Sequence, residues 1–215
     1  AIEPSFPMAN ETPQVWATLR SAAEDLGMAY SCLDVGANLV GESDADRQAA
    51  LDTVARGVDI CRDIDCEIAL VHGSSPAEGM SNSEGRSIYG EQLARAAEAA
   101  EGSGVTLTIE DFGVYPEFAC RSDHVLEVIE GTSRDDVKIT YDNGNFMLAD
   151  DDPMAAYEAV VDRAVHVHLK DWKRLSGDEE GGLQSSGGVR YAGCHIGDGV
   201  AKVSEVTQRL KADGY

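Results

Sequence analysis

Residues 137–172 read VKITYDNGNFMLADDDPMAAYEAVVDRAVHVHLKDW, and the order of patterns within them decides the architecture. The first seven residues, VKITYDN, are rich in β-branched and aromatic types and close on Asp and Asn. Asp152-Pro153 then opens an amphipathic run to Arg163, and AVHVHLKD (164–171) returns to the first pattern. A strand, a helix with an N-cap and a first-turn proline, and a second strand make one βαβ unit.

Outward from this unit the alternation continues to both ends. Further strands are expected at AIEPSF (1–6), AYSCLDV (29–35), EIALVHG (67–73) and VTLTIEDFG (105–113). Helical spacing of apolar residues marks 12–27, 44–64, 88–104, 122–131 and a closing helix at 201–215. Thr12, Asp44 and Asp152 are the expected N-caps, and Gly27, Gly104 and Gly131 the expected C-caps. Strands apolar on both faces and separated by helices imply a parallel sheet, as a barrel or a doubly wound sheet. Neither GxGxxG after the first strand nor a P-loop is present, which favours the barrel. The stretch 174–199 is long and Gly/Ser-rich and reads as a functional loop. A closed (β/α)8 TIM barrel needs eight strands and about 250 residues. The expectation is therefore one domain over 1–215, a TIM barrel incomplete in this sequence, with its first and last strands missing.

Composition bounds the function. The 215 residues are 43% hydrophobic, enough for one sizeable core, and no apolar run approaches the roughly 20 residues of a membrane span. The start AIEPSFPMAN has neither the basic flank nor the apolar stretch of a signal peptide, and five irregularly spaced cysteines suit reduced packing residues. The location implied is cytoplasmic. Seventeen basic against 39 acidic residues give a net charge of −22, spread along the chain, which argues against nucleic-acid and anionic-membrane partners. A surface this acidic resembles that of halophilic proteins, in which salt screens self-repulsion.

In such barrels the active site is built where the strands end. Four successive runs close on polar residues: His72 in IALVHG, Glu110 in LTIEDFG, Asp142 in ITYDNGN and His168 in VHVHLKD. Their spacing is close to the roughly 31 residues that about 250 residues divide into over eight units. Converging carboxylates and imidazole are hard to explain unless a cation or substrate neutralises them, because an unpaired buried carboxylate costs several kcal/mol; the alternative for Glu110 and Asp142 is a carboxylate bonding to a neighbouring βα loop. His72 could instead be a core histidine. Within VHVHLKD the period of a strand puts His166, His168 and Lys170 on one face, with His166 deeper and Asp171 pointing away to cap or pair locally. His124 falls on a helix surface.

These motifs in order, TIEDFG, YDNGNF, HVHLKD, HIGDG and a helix ending ADGY, resemble the xylose isomerase-like TIM barrels. That family includes ketose 3-epimerases, inosose dehydratases and endonuclease IV-type enzymes. The resemblance implies that Glu110, Asp142 and His168 bind a divalent metal, and that Asn145 contacts substrate. It places the fourth ligand, a glutamate, on a strand following Tyr215. It also matches Arg174 to a substrate-binding arginine of the epimerases. Oxygen-rich ligands with one imidazole suit Mn2+, Mg2+ or Co2+ better than Zn2+. The endonuclease IV branch needs further ligands where this chain has Asn145 and Gly193-Cys194-His195, although His72-Gly73 is similar to it.

The function expected is a metal-dependent isomerase or epimerase of a sugar or polyol, working through proton abstraction beside a carbonyl and a metal-stabilised enediolate. Glu110 would be ligand and base, Lys170 would polarise the carbonyl or pair structurally with Asp171 or Asp198, and His72, Asn145 and Arg174 would bind substrate. The alternatives are an inosose or keto-acid dehydratase on the same site, an endonuclease IV-type nuclease and a non-catalytic barrel. The partner is a small molecule, and homo-oligomers are compatible with the sequence.

Overall fold

Helix starts along this chain are written by side chains that take up otherwise unpaired backbone N–H groups. In the computed structural model, which describes residues 1–8, 12–112, 117–177 and 179–215, Thr12 caps α1 (Pro13–Asp25) and Asp152 caps α6 (Pro153–Val160). Ser43, rather than Asp44, caps α2 (Asp44–Asp63), forming a reciprocal capping box with Asp46. Asp44 instead stands in the first turn. Ser81 caps α3 (Asn82–Ala99), six residues before the expected start, because the polar turn NSEGRS carries no apolar spacing to reveal it. The expected C-cap Gly27 has a positive φ just past α1, whereas Gly131 is the last residue of α4 (Ser122–Gly131).

Six strands follow one another as β1 (Ser5–Phe6), β2 (Leu33–Gly36), β3 (Ile68–His72), β4 (Thr106–Glu110), β5 (Lys138–Asp142) and β6 (Ala164–His168), and the sheet keeps this sequence order. Every expected strand is present, mostly shorter than its apolar run. Gly113, the last residue of one expected strand, and Asp178 in the glycine-rich stretch lie outside the described residues. The fold is α/β with parallel strands alternating with helices, and the barrel is incomplete, with six such strands among the described residues where a closed one has eight.

The chain forms two compact units. The first comprises Ala1–Ile109 with Val128–Lys138. There β1, β2, β3 and β4 pair in parallel, with Val35 opposite Val71 and Leu70 opposite Thr108. Leu33, Val35, Leu70, Ile60 and Leu93 form its core, burying apolar area at about 25 cal/mol per Å2. Two helices approach closely through glycine: a Cβ on Gly57 would meet Val35 Cγ2 at 2.7 Å, and one on Gly90 would meet the Val128 carbonyl oxygen at 2.9 Å.

The second unit comprises Glu110–Glu127 with Ile139–Tyr215. Within it β5 and β6 pair in parallel, with Thr140 opposite His166 and Asp142 opposite His168, after a register shift between Ile139 and Thr140. The short helix α5 (Asn143–Leu148), absent from the helices expected from the sequence, follows β5 directly. Tyr141 packs edge-on against Tyr157, 5.3 Å between ring centroids, and donates its hydroxyl to the Pro153 carbonyl. The glycine-rich stretch is not an irregular loop: it folds as a three-stranded antiparallel sheet of β7 (Trp172–Arg174), β8 (Leu183–Gln184) and β9 (Arg190–Gly193), ordered β7-β9-β8. Helix α7 (Val203–Asp213) closes the unit. Among the described residues no helix is long and apolar enough to cross a membrane, and all five cysteines are free thiols.

Candidate metal centre

Glu110, Asp142 and His168 are each the last residue of their strand, β4, β5 and β6. Parallel strands ending at one level bring the three side chains together in the second unit, and one ligand atom from each lies within 4.8 Å of the others. His168 Nδ1 stands 2.5 Å from Glu110 Oε1 and 3.9 Å from Asp142 Oδ2. Asp142 is fully buried, Glu110 nearly so, and His168 retains partial access.

The two oxygens of Asp142 have different tasks. Oδ1 accepts the backbone N–H groups of Gly144 at 2.9 Å and Asn145 at 3.0 Å, which makes Asp142 the N-cap of α5. Oδ2 is buried and accepts no aligned hydrogen bond; the Lys170 ammonium lies beside it at 2.7 Å as an ion pair. Lys170 also donates to Asn145 Oδ1 at 3.0 Å, while Asn145 Nδ2 is buried with no acceptor. The partner of Lys170 is thus Asp142, not the Asp171 or Asp198 considered from the sequence.

Burial lifts the Asp142 carboxyl above the ordinary range; Lys170 opposes this and Glu110 reinforces it. Behind it sits a carboxylate not singled out from the sequence. Asp111 is fully buried, accepts the Asp142 backbone N–H at 3.2 Å through Oδ1 and leaves Oδ2 without a partner. Burial, followed by the charges of Asp142 and Glu110, holds its carboxyl well above the usual range. Burial works against the Lys170 charge, but Asp142 and Glu110 outweigh it and its pKa is raised. A buried donor set of two carboxylates and one imidazole, with one atom from each within 4.8 Å of the others, fits a divalent cation.

Backbone contacts fix this arrangement. Asn143 donates through Nδ2 to the carbonyls of Lys170 at 2.9 Å and Ala201 at 2.8 Å, and its Oδ1 accepts the Lys170 N–H at 2.9 Å. Trp172 donates its indole N–H to the Gly144 carbonyl at 2.9 Å. Gly144 has no room for a side chain, since a Cβ there would lie 2.5 Å from Lys170 Cβ. Asp171 accepts four backbone N–H groups, from Trp172 (3.0 Å), Gly197 (2.9 Å), Gly199 (2.9 Å) and Ala201 (3.1 Å). These bonds outweigh burial and hold its carboxyl below the ordinary value. Asp171 lies between β6 and β7, and its bonds to nearby backbone fit the local role expected for it; that it would anchor the whole HIGDG turn had no sequence signal beyond the glycines.

A profile of the xylose isomerase-like TIM-barrel family matches residues 1–215. The chain belongs to that family. Among proteins of known structure, a D-tagatose 3-epimerase-like protein superposes with a TM-score of 0.79 at 18% identity, over 99% of this chain and 78% of its own. A xylose isomerase-like barrel from Mycobacterium smegmatis in complex with magnesium gives 0.75 at 16% identity, over 100% of this chain and 74% of its own. Inosose dehydratase from Lacticaseibacillus casei is 29% identical over 87 residues, 39% of this chain, and the match spans 29% of the dehydratase's length.

The remaining candidates fall elsewhere. His166 is buried beneath His168, edge to face at 5.1 Å. Arg174 ends β7 on an exposed surface, in register with Tyr191. His72 closes β3 in the first unit, half-buried beside Gly36.

Proposed function

We propose that this chain carries a divalent-metal-dependent isomerase or epimerase acting on a small sugar or polyol. The observation that carries the reading is the convergence of Glu110, Asp142 and His168 donor atoms within 4.8 Å at the ends of three successive strands. These three residues hold the cation. A cation held there would draw electron density from substrate oxygens and so acidify the carbon beside the carbonyl. Glu110, at the end of β4, takes that proton and keeps it for return. Lys170 polarises the carbonyl, and Asn145 Nδ2, with no protein acceptor, donates to a substrate oxygen. Mn2+, Mg2+ and Co2+ suit the donor set best.

A dehydratase on the same centre is the second reading, favoured by the match to inosose dehydratase. Both begin with removal of a proton beside a carbonyl, and they diverge in whether hydroxide then leaves. Incubation of the full-length protein with Mn2+ and a panel of ketoses and inososes in D2O separates them. Deuterium entering beside the carbonyl with no loss of water supports the isomerase, and an enone-type absorbance supports the dehydratase. If Glu110→Gln leaves both metal content and turnover intact, Glu110 has neither role.

A further inference from the structure

We infer that Lys170 and the divalent cation contend for the same oxygen of Asp142, so that Lys170 sets how tightly the centre holds its metal. This rests on the metal reading above. Asp142 itself has nowhere to go, because it is fully buried and its Oδ1 is tied to the N–H groups of Gly144 and Asn145. Only Oδ2 is left to meet a cation, and the Lys170 ammonium lies 2.7 Å from it. Nor can the Lys170 backbone withdraw, since Asn143 bonds both its N–H and its carbonyl at 2.9 Å. The adjustable part is the lysine side chain, which is 40% exposed. It has a second partner within reach, Asn145 Oδ1 at 3.0 Å.

Two cations at one buried oxygen repel, and at an effective dielectric near ~20 this repulsion is worth at least about tenfold in affinity. Coupling of this kind is reciprocal: whatever Lys170 costs the metal, the metal costs the Lys170–Asp142 pair. Metal binding therefore moves the ammonium from Asp142 towards Asn145, the residue assigned to a substrate oxygen. The centre would present a substrate-directed lysine only when loaded.

The test is Mn2+ binding to the full-length protein by calorimetry, for the unaltered protein, Lys170→Met, Lys170→Gln, Lys170→Arg and Asp142→Asn, each checked for an intact thermal melt. The expected result is at least about tenfold tighter binding for Lys170→Met and Lys170→Gln, with Lys170→Arg within about threefold of the parent. Equal or weaker binding in both uncharged variants overturns the inference. If Asp142→Asn binds Mn2+ as the parent does, the metal reading itself fails. If Asp142→Asn loses Mn2+ and the uncharged lysine variants do not change, only the Lys170 inference fails.

Discussion

Replacing Asp171 by Ala removes one acceptor from four backbone donors at once. Of the four, the Ala201 N–H is buried and cannot turn to water, while the bonds from Trp172, Gly197 and Gly199 are part-buried. A buried donor left unmade costs about 1–3 kcal/mol, and a partly hydrated one loses about 1 kcal/mol or less. Mid-range values, about 2 kcal/mol for the buried donor and about 0.5 for each part-buried one, sum to about 3–4 kcal/mol for Asp171→Ala, at the upper end of what single substitutions do. With a urea dependence of about 2 kcal/mol per M, the unfolding midpoint falls by roughly 1.5–2 M. Asp171→Asn keeps one acceptor oxygen and loses the charge, and its loss should be about half as large. Because the Asp171 carboxyl is held below its ordinary value, its contribution is present above the unfolded value of about 3.9 and fades as pH falls through the folded one. The gap between the parent and Asp171→Asn should therefore narrow below about pH 4. Hydrogen exchange should show lost protection at Gly197, Gly199 and Ala201. An Asp171→Ala protein unfolding within about 0.5 kcal/mol of the parent would refute the anchoring role.

Gly144→Ala places a Cβ 2.5 Å from Lys170 Cβ and 2.6 Å from Trp172 Nε1, so it should lose about 1–3 kcal/mol and weaken Mn2+ binding, read by melts and calorimetry. Gly90→Ala forces α3 off the Val128 carbonyl in the first unit and should destabilise by a similar ~1–3 kcal/mol with Mn2+ affinity unchanged, separating packing from site effects. A net charge of −22 repels itself least where the screening length is shortest, about 3 Å in molar salt, so the melting temperature should rise from low to molar KCl; a fall would count against a salt-adapted surface.

Strand identity and the residues that close each strand were legible because a parallel strand buried on both faces leaves a continuous apolar run, and the first polar residue after it marks the end. Glu110, Asp142 and His168 were found in this way. What escaped reading depends on hydrogen bonds rather than periodicity. Helix α5 has no apolar spacing to announce it because DNGN is turn-like in composition, yet the Asp142 side chain supplies the cap that starts a helix there. The first turn of α3 is polar and is set by Ser81. The β7-β9-β8 sheet hides in a Gly/Ser-rich stretch whose strands are two to four residues long. Asp111 and Asn143 act through contacts that span tens of residues, and no local pattern announces them.

The division of labour within Asp142 constrains how this centre can change. One oxygen starts a helix and the other faces Lys170 and the proposed cation, so an amide at position 142 would change the charge there, while the longer glutamate would misplace the first turn of α5. Screens for loss of activity would then score many position-142 variants as folding defects. Evolution or design seeking a different metal affinity has an easier route through Lys170, whose side chain can vary without touching the backbone bonds around it.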